Sequence, residues 1–252
     1  MINRICDLDH LSSVARRSLP AILCSLAATA AFALPPPLRI MPLGDSITYG
    51  ANNDGVGGGY RYPLYVALTN AGYNVDYVGT QTTMPNAGLG SETNHQGHSG
   101  WKISDPSIGL YENILGWFAS ISDPDVILVH IGTNDSGTMP DFTNAVDRLD
   151  AKPNAHIIVT SLMKRQDPNY SRITNYFNPF VPAKVAAQVG LGRKVTFLDM
   201  HDKLELSDMY DNLHPNNAGY GKMAAAWFPV VTNIVTPYGD LVPPAVASLR
   251  SA

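Results

Sequence analysis

Residues 38–50 read Leu-Arg-Ile-Met-Pro-Leu-Gly-Asp-Ser-Ile-Thr-Tyr-Gly. The apolar run Leu38–Leu43 has the length of a buried strand, and Gly44-Asp45-Ser46 ends it in a turn. Working outward, similar runs occur at Val75–Val78, Val126–Ile131, His156–Ser161 and Val195–Leu198. Between them lie stretches with helical character: Tyr62–Ala71, Ile108–Ile121, Asp141–Asp150 and a segment around Pro182–Val189. A last helix is expected to open at Asn216-Asn217, run through Tyr220, Met223, Ala224 and Trp227, and kink or end at Pro229. Strands alternating with helices are the pattern of βαβ units, so the expected fold is α/β, a central parallel sheet covered by helices on both faces. The crossover Asp141–Asp150 is near the shortest that can join two parallel strands.

The chain has 252 residues, 45% of them apolar, which suits one domain with a sizeable core. Its formal net charge is −4, only 15% of residues are charged and no run of Lys or Arg occurs, so nothing attracts a nucleic acid. Arg16 and Arg17 precede an almost uncharged run, Leu19–Leu34, in which Ala31-Phe32-Ala33 supplies a small-x-small cleavage pattern. These features read as a secretory signal peptide over residues 1–33, giving a secreted or periplasmic protein. The run is shorter than a comfortable bilayer span and is followed at once by Pro35-Pro36-Pro37, so no membrane span is expected in the mature protein. Cys6 and Cys24 both lie in the proposed leader, which leaves no disulfide or thiolate metal site beyond it. The folded domain is expected over 34–235. The tail 236–252, with Pro237, Pro243 and Pro244, reads equally well as an ordered strap or a frayed end.

Four short blocks carry chemistry. Ser46 stands at the carboxyl end of the first strand, where open α/β sheets bind their ligands. Alone, that tripeptide is equally an ordinary capped turn. Asp211-Asn212-Leu213-His214 can supply the base that a serine hydroxyl needs and the carboxylate that orients the base. Ile131-Gly132-Thr133-Asn134-Asp135 follows another apolar strand, and an asparagine amide there could donate to an oxyanion. Gly97-His98-Ser99-Gly100-Trp101 offers glycine N–H groups for the same purpose.

The blocks IMPLGDSITYG, NHQGHSGWKI, IGTND and DNLHPNNAGYGKMA, in this order, resemble the SGNH (GDSL-type) hydrolase superfamily. Their wording is similar to the carbohydrate-esterase branch that contains acetylxylan esterases. The resemblance implies a flavodoxin-like three-layer α/β/α sandwich and a secreted serine ester hydrolase that removes acetyl or other short acyl groups, with a small-molecule or polysaccharide ester as substrate. Carried over by position, it implies Ser46, His214 and Asp211 as the catalytic residues. Ser46, Gly100 and Asn134 would form the oxyanion hole, with Gly97 as the rival of Gly100. No cofactor is implied.

Trp101 adjoins the blocks and is a candidate platform for a sugar ring, whereas Trp117 and Trp227 are expected in the core. His95 and His98 lack a visible third ligand, so no metal site is expected. Asp45 and Asp135 read as caps or turn residues, and Arg61 as the anchor of a loop. A non-catalytic sugar-binding domain would leave the Ser, Asn and Asp-x-x-His constellation without a purpose. A phosphate- or flavin-binding domain would need a G-x-G-x-x-G opening a helix after a strand, which Gly57-Gly58-Gly59 does not provide.

Overall fold

The computed structural model describes residues 36–51, 55–135 and 141–236. The leader expected over 1–33 and nearly all of the expected tail lie outside the described residues. The elements are β1 (Leu38–Gly44), α1 (Ser46–Tyr49), α2 (Arg61–Asn70), β2 (Val75–Tyr77), β3 (Gln96–Gly97), α3 (Leu110–Phe118) and β4 (Val126–His130). They continue with α4 (Asp141–Leu149), β5 (His156–Thr160), α5 (Tyr170–Arg172), α6 (Asn178–Gly190), β6 (Val195–Leu198) and α7 (Asn217–Ile234), a π-helical turn at Ile173–Phe177 joining α5 to α6.

All strand pairings are parallel, in the order β2-β1-β4-β5-β6. The two-residue strand β3 was not expected. It lies beside Leu43–Gly44, on β1 beyond the stretch Leu38–Ile40 that pairs with β2. Because successive side chains alternate, each strand feeds two cores. Leu38, Ile40, Val126, Leu128 and Ile158 pack with Leu64, Leu68, Met223 and Trp227 of α2 and α7. Met41, Leu43, Ile127, Val129 and Ile157 pack with Ile114, Val146, Leu149 and Val181 of α3, α4 and α6. Burial on both faces is why these strands read as unbroken apolar runs, and each buried aliphatic contributes roughly 1.5–3 kcal/mol. The result is the expected three-layer α/β/α sandwich.

The short crossover closes: α4 buries Ala145, Val146 and Leu149 against the sheet. Asn216 caps α7, accepting the Gly219 N–H at 2.9 Å. Pro229, however, does not end α7, which continues to Ile234. Pro229 and Ala225, whose carbonyl loses its usual donor, both lie on the exposed face, while Trp227 and Val231 stay buried on the other. Among the described residues, no helix is long and apolar enough to cross a membrane.

Candidate active site

The sheet order makes β1 and β4 neighbours that the chain reaches from opposite sides, a topological switch point, and the crevice beyond their carboxyl ends is where such sheets bind ligands. Gly44 ends β1 there. A side chain at this position would collide with the carbonyl of His130 on β4 and with the Thr48 hydroxyl, so only glycine lets the strands close and the chain turn at once into α1. Asp45 caps that turn, its Oδ1 accepting the Ile47 N–H at 3.0 Å. Ser46 is the first residue of α1 and is 4% exposed, more enclosed than an ordinary turn hydroxyl.

Across the crevice, the segment before α7 folds back on itself. Asp211 Oδ1 accepts the N–H groups of Leu213 and His214, both at 2.7 Å, and the Tyr210 N–H donates to the His214 carbonyl at 2.8 Å. Thus Asp-x-x-His is a tight turn in which the carboxylate and the imidazole share one side. His214 Nδ1 lies 3.0 Å from Asp211 Oδ2, and His214 Nε2 lies 2.9 Å from Ser46 Oγ. An ionised carboxylate can only accept, so Nδ1 carries the proton, and Nε2 is left to accept from the serine hydroxyl. Burial alone would raise the Asp211 carboxyl, but hydrogen bonds from His214 and Leu213 outweigh it and hold the group down at about 2.

Asn134 follows β4. Its Nδ2 donates one N–H to the Trp101 carbonyl at 2.9 Å, which fixes the amide and ties it to the segment carrying Gly100. The two glycines differ in their surroundings. Gly97 is built into the sheet edge, where a side chain would strike the backbone of Thr48 and Tyr49, and its N–H donates to His95 Nδ1 at 3.0 Å. Gly100 sits in open space at φ +80° and its N–H donates to nothing among the described residues.

Trp117, expected in the core, packs only against its edge. It is half-buried and stacks on the His98 ring at 4.5 Å, while Trp101 stacks on the other His98 face at 4.3 Å. One face of Trp101 is therefore occupied. The Thr80 N–H donates to Gln96 Oε1, so Gln96 presents its NH₂ to His98 Nε2 at 3.0 Å, and His98 is neutral with its proton on Nδ1. Trp227 is fully buried, as expected. Arg61 anchors loops, as expected. Fully buried, it donates to the carbonyls of Thr48, Tyr49, Thr83, Met84 and Thr93, clamping residues 83–93 against the end of α1. Asp135 holds the Ile103 N–H at 3.2 Å. Among the described residues, no three His, Cys, Asp or Glu side chains are grouped to hold a metal.

Buried titratable groups surround the site and pull stability in opposite directions. Burial pushes His95 and His130 down to about 3 and His98 down to about 4. Unfolding lets these histidines take up protons, so they withdraw stability as pH falls below about 6.5. Burial pushes Asp45 and Asp135 up to about 6, so these two favour the fold below pH 4 and withdraw that stability as pH rises to 6. Three histidines oppose two aspartates, and the melting temperature should rise between about pH 4 and 6.5. Asp45→Asn removes one opposing group and should steepen the rise. Thermal denaturation across this range checks both, and a flat or falling profile for the wild type contradicts the balance.

A family model described as the GDSL-like lipase/acylhydrolase family matches residues 43–222, a span running from the Ser46 turn into α7. The chain belongs to this family. The chain is 32% identical to a family 3 carbohydrate esterase of Clostridium thermocellum, over 77% of this chain and 94% of that one, with a TM-score of 0.65. It is 29% identical over 218 residues to a multidomain esterase of Ruminococcus flavefaciens, of which it spans 28%. A family two carbohydrate esterase from Clostridium thermocellum in complex with cellohexaose shares the fold at 20% identity, with a TM-score of 0.54 over 80% of this chain and 66% of that one.

Proposed function

We propose that this acylhydrolase is an exported serine esterase that removes acetyl or similarly short acyl groups from carbohydrate. The observation that carries the mechanism is the continuous relay from Ser46 Oγ through His214 to Asp211. Ser46 gives its proton to His214 Nε2 as its oxygen attacks the ester carbonyl. The oxyanion of the tetrahedral intermediate accepts hydrogen bonds from the Ser46 N–H, the second amide N–H of Asn134 and the Gly100 N–H, whose donor is unengaged where that of Gly97 is not. His214 then passes the proton to the leaving sugar hydroxyl, and the acyl-serine is hydrolysed by water through the same groups. Export rests on the leader read over residues 1–33.

The carbohydrate reading is supported by the esterases to which the chain is similar. The short-acyl reading is supported by the surroundings of the turn. The cavity beside it, lined by Ile47, His130, Leu162, Met163 and Leu213, is too narrow for a water molecule. The segment Asp167–Phe180, rich in apolar and aromatic residues, is mostly helical. It buries Ile173 and Phe177 in the core and leaves Tyr176 and Phe180 in solvent. A buried methylene is worth about 0.8 kcal/mol, so a long-chain lipase needs a groove to collect that energy. In a series of p-nitrophenyl esters, acetate should be cleaved fastest. An optimum at octanoate or longer would instead place the enzyme among lipolytic esterases. Asn134→Ala should lower kcat by roughly 10²–10³-fold with little change in KM, because the amide serves the oxyanion and not the ground-state carbonyl.

A further inference from the structure

Three strands from the nucleophile, the same sheet edge carries a second cluster of polar side chains. β5 ends in Thr160 and β6 in Leu198, and the residues that follow, Ser161 and Asp199, face each other. Ser161 Oγ donates to Asp199 Oδ1 at 2.6 Å and accepts the Met200 N–H at 2.8 Å. The His201 N–H also donates to Asp199 Oδ1 at 3.1 Å. His201 is held in turn: its Nδ1 donates to Asp202 at 2.9 Å, its Nε2 accepts from the Tyr170 hydroxyl at 3.3 Å, and the Tyr170 ring stacks parallel to it. Ser161, Asp199 and His201, together with Phe197, Pro179 and Pro182, line an open pocket of about 230 Å³. Asp199 is exposed, and its Oδ2 accepts nothing among the described residues.

None of this serves the Ser46 relay. The pocket joins a partly buried aromatic ring flanked by two prolines to a rim of fixed acceptors and donors. That combination suits a pyranose, which presents C–H groups on its face and hydroxyls around its edge. Its place is equally informative. Strands in a sheet lie about 4.8 Å apart, so β6 is about 14 Å from β1 along the edge, farther than one sugar ring reaches.

We infer that this pocket is a distal sugar subsite, which holds an unreacting ring of an oligosaccharide while an acylated ring of the same chain lies at Ser46. The inference rests on the carbohydrate reading above. It adds that the enzyme prefers esters on a chain to esters on a single sugar.

The test compares the wild type with Phe197→Ala and Asp199→Asn on two substrates, p-nitrophenyl acetate and chemically acetylated xylo-oligosaccharides. Asp199→Asn keeps the Oδ1 acceptor that binds Ser161 and His201, so it guards against a variant that merely fails to fold. Both variants should cleave p-nitrophenyl acetate like the wild type. On long oligosaccharides kcat/KM should fall, by about tenfold for Phe197→Ala, a loss typical of one aromatic contact, and by less for Asp199→Asn. On acetylated monosaccharide neither should differ from the wild type. If the wild type cleaves the oligosaccharides and both variants match it, the subsite is wrong and the carbohydrate reading stands. If Asp199→Asn loses activity equally on p-nitrophenyl acetate, the pocket supports the fold or the chemistry and the subsite is again wrong. A wild type that cleaves p-nitrophenyl acetate but ignores every acetylated sugar overturns both readings.

Discussion

Replacing Ser46 by alanine should lower ester turnover by about 10⁴–10⁶-fold while the protein keeps its fold. The size follows from how residues of such a relay act. Without the oxygen that bonds to the acyl carbon, what is left is substrate binding and a set of oxyanion donors, and losing the nucleophile costs nearly as much as losing the whole relay. The fold should survive because the α1 turn is held by other groups: the Asp45 cap, the absence of a side chain at Gly44, and the Arg61 clamp. The serine hydroxyl adds one hydrogen bond, to His214, and such a bond contributes about 1 kcal/mol net. Measured side by side, p-nitrophenyl acetate hydrolysis and thermal denaturation should therefore part company, the first abolished and the second nearly unmoved. A variant that retained a tenth of wild-type turnover would show that another group is the nucleophile.

Asp211→Asn should cost about as much as it does in a serine protease, on the order of 10⁴-fold in kcat, although it is nearly isosteric. The reason lies in proton placement. The asparagine carbonyl can still accept the Leu213 and His214 N–H groups, so the turn survives. Its NH₂ group then faces His214 Nδ1, which must become an acceptor, and the imidazole proton moves to Nε2. An Nε2–H cannot take the Ser46 proton. The defect should appear in kcat with KM little changed, and circular dichroism should show an intact fold. Retention of most activity would mean that the carboxylate is not what orients His214.

Much of the site was legible in the sequence because each part ends a strand or precedes a helix. Ser46 follows an apolar run, Asn134 follows another, and Asp211-x-x-His214 stands just before the Asn216 cap, so short local patterns marked them all. Contacts across long separations left no such mark. Trp117 lies on an apolar helix and reads as a core residue; only the fold reveals that His98 stacks on its ring. Gln96 and Gly97 of β3 cannot be told from a loop, because their strand character comes from Leu43 and Gly44 on β1. Pro229 reads as a kink or an end of the last helix, yet α7 runs on to Ile234 with Trp227 and Val231 packed in the core. The pocket beyond β6 joins residues of β6, of α6 and of the segments that follow β5 and β6, which nothing in their order along the chain connects.

The Arg61 clamp makes the placement of Ser46 a property of the finished molecule. Among the described residues the guanidinium donates only to carbonyls, drawn from two stretches of chain, so the hydration these replace is restored only once both are in place. A chain in which residues 83–93 have not yet docked would leave that cation wet and the end of α1 loose, with Ser46 no better aligned than any serine in a coil. The clamp thus couples the docking of residues 83–93 to the alignment of the turn that carries Ser46.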